Sequence, residues 1–235
     1  LASKSPLTGF IGDSLSGSWF CIALKRARWD GVVIHNASDD WVHIFIDDDR
    51  VEFLPAEKLL GLGTFETEEK IREEFGDDQI RSATIGPAGE NMVRIANVTN
   101  DGRQAGRTGH GAVWGSKKLK AVSVRGTYGV TVADPETLLQ MSFDITESAQ
   151  GPNTEKYRVY GTSTNMLNMN KLGLLPTRNY QEGVFEFAEL VSGEYLDEHH
   201  KVKVIACAQC QIACEQMSLV KKGPFAGAMT GIEYE

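Results

Sequence analysis

Three of the four cysteines in this sequence are close together, at Cys207, Cys210 and Cys214. Thiolates are soft ligands that suit zinc and iron–sulfur clusters. The C-x2-C-x3-C spacing lets the first two sulfurs converge on one centre and places the third about one helical turn further on. A [4Fe–4S] cluster needs four thiolates, and spacings of this kind supply three locally. The pattern therefore predicts three of four cluster ligands, with the fourth elsewhere in the protein.

Structural zinc is the main alternative for this cysteine motif, and a loop without any metal remains a third. Zinc sites normally combine two paired groups of ligands, but no second C-x-x-C or H-x3-H follows here. His199 and His200 are adjacent in sequence, which is a poor chelating geometry. The fourth cysteine, Cys21, lies in an apolar run from Trp19 to Leu24, so we expect a buried and inert thiol there.

A second segment, residues 100–118, contains five glycines and four basic residues. Glycines let backbone N–H groups approach an anion, and arginine adds bidentate contacts to phosphate. The glycine spacing matches neither a Walker A loop nor a dinucleotide fingerprint. A phosphate or pyrophosphate site and a tight turn with a solvated basic edge both remain open. Two further turns, at residues 4–10 and 85–91, are weaker candidates of the same kind.

The elements that must position these motifs divide at about residue 130. Residues 1–130 are rich in strand signals and predict a β-rich domain, whereas residues 131–235 predict a mainly helical one, so the fold class is α+β. Strands are predicted at residues 31–35, 41–46, 51–54, 82–85, 93–98 and 119–124. Helices are predicted at residues 19–27, 67–75, 134–148, 154–175 and 189–200, the third opening on an Asp N-cap followed by Pro.

Bulk properties exclude several classes of function. The net charge of −8 argues against a nucleic-acid partner. The sequence contains no run of about 18 apolar residues, so no membrane span is predicted. Clustered cysteines without a secretory signal favour a reducing compartment, so we expect a cytoplasmic protein. Leu1 is not an initiator Met, and the sequence is interpreted as a fragment whose first domain lacks its N-terminal part.

Taken together and in order, these motifs resemble the tungsten-containing aldehyde ferredoxin oxidoreductase family. The resemblance covers nearly the whole chain and rests on four segments: residues 4–10, 85–91, 109–122 and the cysteine motif. It implies a tungsten (or molybdenum) atom held by two pterins on a β-rich base, magnesium bridging the pterin phosphates, and a [4Fe–4S] cluster nearby. Helical domains would close over that base, and this chain would hold the start of the second domain.

The resemblance also implies which residues do the work. One pterin loop matches Leu15, Ser16 and Gly17, with Leu15 standing where many relatives carry Asn. The second pterin loop is one residue shorter than in close relatives and matches Arg103, Gln104, Gly106 and Arg107. Residues 231–235 resemble the family's Gly-Pro-Glu-Tyr-Glu, which places Glu235 near the metal as a candidate proton acceptor. Cys207, Cys210 and Cys214 would bind the cluster.

The implied function is oxidation of aldehydes to carboxylic acids, with two electrons passing through the cluster to ferredoxin. The expected partners are ferredoxin and a small-molecule aldehyde, in a homo-oligomer or in a complex with electron-transfer subunits. A same-fold reductase of an aromatic acyl-thioester or a carboxylic acid is one alternative. An iron–sulfur electron-transfer module without a substrate site is another, but such a module would not need the glycine- and arginine-rich loops. Residues 1–235 alone are expected to be inactive.

Overall fold

The computed structural model describes residues 1–232 and divides into two compact units, residues 1–131 and residues 132–235. The first unit holds eight strands, β1 (Ala2–Lys4), β2 (Ile11–Asp13), β3 (Val42–Asp47), β4 (Arg50–Pro55), β5 (Arg81–Thr84), β6 (Val98–Asn100), β7 (Arg103–Ala105) and β8 (Leu119–Arg125). Its helices are α1 (Phe20–Arg26), α2 (Thr64–Phe75), α3 (Pro87–Glu90) and α4 (His110–Ser116), with a 3-10 turn at Glu57–Leu59.

A six-stranded sheet organises the first unit, in the order β4-β3-β8-β5-β6-β7. Strands β3 and β8 pair in parallel, and the other neighbours are antiparallel. Both faces of the sheet are covered, because Ile44 and Ile46 pack in one buried cluster and Phe45 packs in another. This explains why β3 has a nearly continuous apolar sequence rather than a clean alternation. Strands β1 and β2 form a separate hairpin.

The second unit combines helices with a small sheet. Its helices are α5 (Pro135–Gln150), α6 (Pro152–Tyr160), α7 (Met166–Lys171) and α8 (Gly193–His199), with 3-10 turns at Thr162–Asn165 and Ala188–Val191. Strands β9 (Lys201–Ile205), β10 (Glu215–Leu219) and β11 (Met229–Ile232) form an antiparallel sheet in the order β11-β10-β9. The expectation of a mainly helical segment is therefore incomplete, because the cysteine motif joins two strands of this sheet.

Most predicted elements of the first unit are confirmed. The hairpin of β3 and β4 and strands β5 and β8 lie within a residue or two of the positions predicted from their apolar and β-branched runs. Helix α2 begins three residues earlier than expected, since the side chain of Glu66 accepts the backbone N–H of Gly63 at 2.7 Å in a capping interaction. It ends at Gly76, whose φ of 62° is the left-handed conformation that commonly stops a helix.

Two strand predictions are wrong. Residues 31–35 form no strand, although they are β-branched, and Val33 is 80% exposed. A β-branched run needs a neighbouring strand to pair with before it becomes a strand. Ile34 packs against the core instead, and the Asn36 carbonyl oxygen that follows accepts a hydrogen bond from Lys117 Nζ at 2.7 Å. Of the strand predicted at residues 93–98, only Val98 lies in a strand, because residues 91–97 form turns that contact α4.

The helical stretches predicted in the second unit are present, but only α5 follows its predicted bounds closely. Helix α5 begins as expected, with the Asp134 side chain accepting the backbone N–H of Thr137 at 3.0 Å. The stretch predicted at residues 154–175 is broken into α6, a 3-10 turn and α7, because Gly161 adopts a φ of 66° between them. Among the described residues, no helix combines the length and apolar character that crossing a bilayer requires.

Candidate functional site

The two predicted pterin loops lie side by side in the first unit. The loop that leads into α1 contacts the β6–β7 hairpin and the segment after it through three hydrogen bonds. The backbone N–H of Arg107 donates to Ser14 Oγ (3.1 Å), Ser16 Oγ donates to Asn100 Oδ1 (3.1 Å), and the backbone N–H of Trp19 donates to an Asp101 side-chain oxygen (2.9 Å). Segments that are about 85 residues apart in sequence thus form one surface.

The hairpin between β6 and β7 has the shortest possible connection. Asp101 and Gly102 are its two turn residues, with φ of 48° and 77°. Two consecutive residues with positive φ are typical of a type I′ turn, for which Asp-Gly is a preferred pair. The turn places Arg103 and Gln104 on successive, opposite-facing positions of β7, so that Arg103 is buried (7% exposed) and Gln104 is exposed.

The predicted loop residues differ in solvent exposure. Leu15 and Arg107 are exposed, and Gly106 is exposed beside Arg107. The side-chain oxygen of Gln104 accepts hydrogen bonds from Asn97 and Thr99, so this residue braces the hairpin. Of the two arginines assigned to phosphate, only Arg107 presents an exposed side chain. These roles remain predictions.

A cavity of about 410 Å³ opens beside these loops. Its polar wall consists of hydroxyl, amide and imidazole groups, including Ser14, Ser16, Ser18, Asn100 and His110. Both nitrogens of His110 are hydrogen-bonded, Nδ1 to Ser3 Oγ (2.8 Å) and Nε2 to Thr108 Oγ1 (2.9 Å). Burial lowers the pKa of His110, with a smaller contribution from the positive N-terminus, so the ring is kept neutral.

Cys21 also lines this cavity, and the expectation that it is a buried thiol is wrong. Cys21 is exposed, and its Sγ donates to the carbonyl oxygen of Ser18 at 3.3 Å. Helix α1 turns Ala23 and Ala27, four residues apart, toward the core, which leaves Cys21 on another face. The apolar run around Cys21 gave no information about which helix face is buried.

Three of the five glycines in residues 100–118 serve packing rather than anion binding. A Cβ on Gly115 would lie 1.9 Å from the carbonyl oxygen of Gly89, and one on Gly111 would lie 2.3 Å from that of Asn97. One on Gly109 would lie 2.0 Å from the carbonyl oxygen of Arg94. Helix α4 therefore packs directly on the backbone of α3 and of the segment that follows it. This supports the tight-packing alternative for those three positions and leaves Gly102 and Gly106 in the candidate loop.

The cysteine motif forms a nine-residue connection, residues 206–214, between β9 and β10. Pairing of Ile205 with Glu215 closes it, and the backbone N–H of Cys210 donates to the carbonyl oxygen of Cys207 at 3.0 Å. The expected helical turn between the second and third cysteines is absent from this part of the structure, since residues 211–214 are not helical and Ala213 adopts a φ of 52°. Each cysteine is half-buried.

Helices of the same unit brace this connection. The side-chain nitrogen of Gln150, at the end of α5, donates to the carbonyl oxygen of Gln211 at 2.8 Å. Gly161, after α6, is so close to Cys214 that a Cβ there would lie 2.6 Å from its carbonyl oxygen. Within residues 1–232, no three His, Cys, Asp or Glu side chains converge closely enough to hold a metal ion. Glu235 lies outside the described residues.

Two family models match the sequence. "Aldehyde ferredoxin oxidoreductase, N-terminal domain" matches residues 1–126, and "Aldehyde ferredoxin oxidoreductase, domains 2 & 3" matches residues 140–235. The chain belongs to the aldehyde ferredoxin oxidoreductase family. The resemblance inferred from the ordered motifs is thereby confirmed.

Individual relatives within the aldehyde ferredoxin oxidoreductase family agree over almost the whole chain. It is 41% identical over 239 residues to the "Tungsten-containing aldehyde ferredoxin oxidoreductase" of Pyrococcus abyssi, covering 99% of this chain and 38% of that protein. It is 41% identical over 241 residues to the protein of the same description from Thermococcus kodakarensis, covering 100% and 39%. The chain thus spans less than two fifths of the length of these relatives.

More distant relatives have other reactions in their descriptions. The "Aliphatic sulfonate oxidoreductase, WOR-like subunit" of Pyrococcus furiosus is 28% identical over 98% of this chain and 39% of that protein. Among solved structures, the active site complex BamBC of benzoyl coenzyme A reductase, in complex with 1,5-dienoyl-CoA, matches with a TM-score of 0.75. That match has 28% identity and covers 98% of this chain and 37% of that chain.

The α+β fold class is confirmed by this structural match and by the helices and sheets of the two units.

The described residues fit the pterin that this family implies. Two loops from distant parts of the sequence meet, Arg107 offers an exposed cation, and a cavity with a mostly apolar lining and several polar groups opens beside them. The cysteine connection fits an iron–sulfur cluster in the chemistry of its donors, three thiols on one short loop. The helical-turn geometry expected for these thiols was wrong, and the donors belong to a strand-to-strand loop instead.

Proposed function

We propose that this chain forms the cofactor-binding part of an oxidoreductase that oxidises aldehydes to carboxylic acids at a tungsten (or molybdenum) bis-pterin centre. The electrons pass through a [4Fe–4S] cluster to ferredoxin, in the cytoplasm. The observation that carries the proposal is the pairing of Ser14, Ser16 and Trp19 with the β6–β7 hairpin and Arg107, inside a chain of this family.

The loop residues have distinct tasks in this proposal. The exposed guanidinium of Arg107 would bind the pterin phosphates, and a magnesium ion would add further positive charge there. Leu15, Ser16 and Gly17 present backbone groups and one hydroxyl to a pterin. Arg103 is buried on β7 and would add a second positive charge toward the phosphates, while Gln104 fixes the hairpin through Asn97 and Thr99. When bound, the metal–pterin centre supplies the two-electron redox chemistry.

The second unit supplies the path for electrons. Cys207, Cys210 and Cys214 would hold three corners of the cluster, on a loop whose ends are fixed by strand pairing. A fourth ligand comes from a part of the protein other than this loop. Glu235, which lies outside the described residues, would accept the proton released during oxidation if its site is dry enough to raise its pKa toward neutrality.

Metal analysis and turnover of the full-length protein, purified without oxygen, test the proposal. We expect tungsten or molybdenum, pterin and about four iron atoms per chain. We also expect reduction of viologen dyes and ferredoxin with a panel of aldehydes. Protein with iron but no tungsten, molybdenum or pterin would leave only an electron-transfer module. Residues 1–235 alone should show no turnover, and measurable aldehyde oxidation by them would contradict the division of labour proposed here.

A reductase of an aromatic acyl-thioester is a second candidate. It is favoured by the match to the BamBC complex, which was solved with a dienoyl-CoA and covers nearly all of this chain. The two candidates differ in substrate and in the direction of electron flow. A protein that contains the metal and pterin but oxidises no aldehyde, and that consumes reduced ferredoxin with an aromatic acyl-CoA, would decide for the reductase.

The cysteine assignment has a matched control in the same chain. Cys207→Ser, Cys210→Ser and Cys214→Ser should each lower the iron content and abolish the low-temperature electron paramagnetic resonance signal of the reduced cluster. Cys21→Ser should leave both unchanged, because Cys21 lies on helix α1 and is not part of the three-cysteine loop. Zinc in place of iron in the wild-type protein, lost on the same three substitutions, would decide for the structural-zinc alternative.

A further inference from the structure

The backbone of Arg107 is held on both sides. Its N–H donates to Ser14 Oγ (3.1 Å), and its carbonyl oxygen accepts a hydrogen bond from Thr108 Oγ1 (2.8 Å). The peptide group between Arg107 and Thr108 therefore has a fixed orientation. Because the direction of a side chain follows from the backbone that carries it, these two contacts set where the exposed guanidinium can reach.

Thr108 has a backbone conformation that its own side chain disfavours. Its φ is 63°, in the left-handed region, which is a genuine outlier for a β-branched residue. Such a conformation persists only where the surrounding contacts impose it, and it is found preferentially at functional sites. The contacts that hold Thr108 in this conformation therefore also hold the backbone of Arg107 next to it.

Two residues that face each other in the β1–β2 hairpin supply these contacts. Thr108 Oγ1 shares a hydrogen bond of 2.9 Å with His110 Nε2, and His110 Nδ1 shares one of 2.8 Å with Ser3 Oγ on β1. Gly12 on β2 pairs with Ser3, and a Cβ on Gly12 would lie 2.6 Å from the Cβ of Thr108. The Thr108 side chain is thus held directly by Gly12 and, through His110, by Ser3.

The protons of this hydrogen-bond chain follow from its donors and acceptors. Thr108 Oγ1 has a single proton, which goes to the Arg107 carbonyl oxygen, because a carbonyl oxygen can only accept. Thr108 Oγ1 must then accept from His110 Nε2–H. The neutral imidazole accepts at Nδ1, from the hydroxyl of Ser3. With the other tautomer, the proton of Thr108 would have to serve His110 and Arg107 at once.

We propose that His110 is a positioning residue for the cofactor site, which acts through Thr108 to hold Arg107 toward the pterin phosphates. The inference rests on the proposed function, because it takes Arg107 as a phosphate-binding residue. His110 is 2% exposed and reaches Arg107 through the Thr108 hydroxyl. His110 is not one of the residues that the family resemblance assigned to the pterin.

Glycine at position 108 should make the support from His110 dispensable. His110→Leu removes the hydrogen bond to Thr108, so the disfavoured conformation of Thr108 is no longer imposed and the backbone can relax. Glycine adopts a φ near 63° without any such support. His110→Leu should therefore release the backbone of Arg107, and Thr108→Gly added to the same protein should fix it again.

Hydrogen exchange of the full-length protein tests this without requiring turnover. The Arg107 amide, which donates to Ser14 Oγ, should exchange about tenfold faster in His110→Leu than in the wild type, which corresponds to about 1.4 kcal/mol. In Thr108→Gly/His110→Leu the rate should return to within about threefold of the wild type. His35→Leu, the same substitution at an exposed histidine, should leave the rate unchanged.

Release of the metal–pterin cofactor shows whether the support serves the site. Tungsten or molybdenum that passes an ultrafiltration membrane should appear about tenfold faster from His110→Leu than from the wild type, and Thr108→Gly should again suppress the effect. In protein that carries Arg107→Gln, the added His110→Leu should change the release rate little, because His110 acts through Arg107. A merely structural role of His110 would instead give additive effects.

Three results would overturn the proposal. They are an unchanged Arg107 amide in His110→Leu, a double variant with Thr108→Gly that exchanges as fast as His110→Leu alone, and additive effects with Arg107→Gln. If His110→Leu does not fold, the half-buried Thr108 decides instead. Thr108→Val keeps the branched shape and loses the hydroxyl, so it should release Arg107, whereas Thr108→Ser keeps the hydroxyl and should not. Equal behaviour of these two variants would refute the role.

The two measurements separate this inference from the proposed function. If the wild-type protein contains neither metal nor pterin, the proposed function fails, whereas hydrogen exchange still decides whether His110 holds the backbone of Arg107. If the cofactor is present and its release is insensitive to His110→Leu, the positioning role fails alone.

Discussion

A buried chain of polar side chains crosses three adjacent strands of the central sheet. His43 Nε2 and Ser123 Oγ share a hydrogen bond of 2.8 Å, and Ser123 Oγ and Ser82 Oγ share one of 2.7 Å. His43 is 3% exposed, and burial lowers its pKa to about 4 from an ordinary value of 6.5. The imidazole is therefore neutral in the folded state at pH values well above 4.

This neutral histidine makes the sheet sensitive to acid. Below pH 6.5 the unfolded chain gains a proton at His43 that the folded chain does not accept, so folding stability falls as the pH falls, until about pH 4. Between pH 8 and pH 5 the two pKa values give a loss of about 2 kcal/mol from this residue alone. Above pH 6.5 its contribution is constant.

Native-state hydrogen exchange in β3 and β8 of the full-length protein measures this loss, because a local opening of the sheet exposes His43. The wild type should lose about 30-fold in protection between pH 8 and pH 5 relative to His43→Gln at the same pH values, which corresponds to the 2 kcal/mol. His35→Gln, at an exposed histidine, should behave as the wild type. An identical pH response in wild type and His43→Gln would refute the reasoning.

Two further predictions concern packing and charge in the same unit. Gly115→Ala should lower the free energy of unfolding, measured by chemical denaturation, by about 1–3 kcal/mol, because the new Cβ would lie 1.9 Å from the carbonyl oxygen of Gly89. The control Gly31→Ala has open space around it and should change that free energy by less than about 0.5 kcal/mol. Lys120→Met should lower the free energy of unfolding by about 3–5 kcal/mol, because it leaves the carboxylate of Glu90 without its buried cation. The control Lys58→Met, at an exposed position, should change that free energy very little. A Gly115→Ala or Lys120→Met protein as stable as its control would contradict the corresponding contact.

Local sequence signals predicted elements whose patterns were complete within a few residues. The hairpin of β3 and β4 has apolar segments on both sides of an acidic turn, and α5 carries both an Asp N-cap and a Pro. The strand predicted at residues 31–35 was wrong because strand formation depends on a partner strand, which β-branched residues alone do not supply. The prediction of a buried Cys21 was wrong because Ala23 and Ala27 define the buried face of α1, which average hydrophobicity does not reveal.

The candidate site was predictable as two separate loops but not as one surface. Nothing in the spacing of Ser16 or Arg107 indicates that their segments meet, since that contact depends on the sheet order β5-β6-β7. One signal was nevertheless present, because the Asn-Asp-Gly sequence at residues 100–102 is a strong hairpin-turn signature.

The two-residue turn at Asp101 and Gly102 also determines where this loop can change its length. Because side chains alternate along β7, one residue inserted between Asn100 and Arg103 would slip the hairpin register and exchange the buried and exposed positions of Arg103 and Gln104. An insertion after Ala105 would leave that register intact. Length variants built at residues 106–108 would therefore alter the reach of Arg107 without rebuilding the hairpin, and would act through the contacts of this segment with Ser14 and His110.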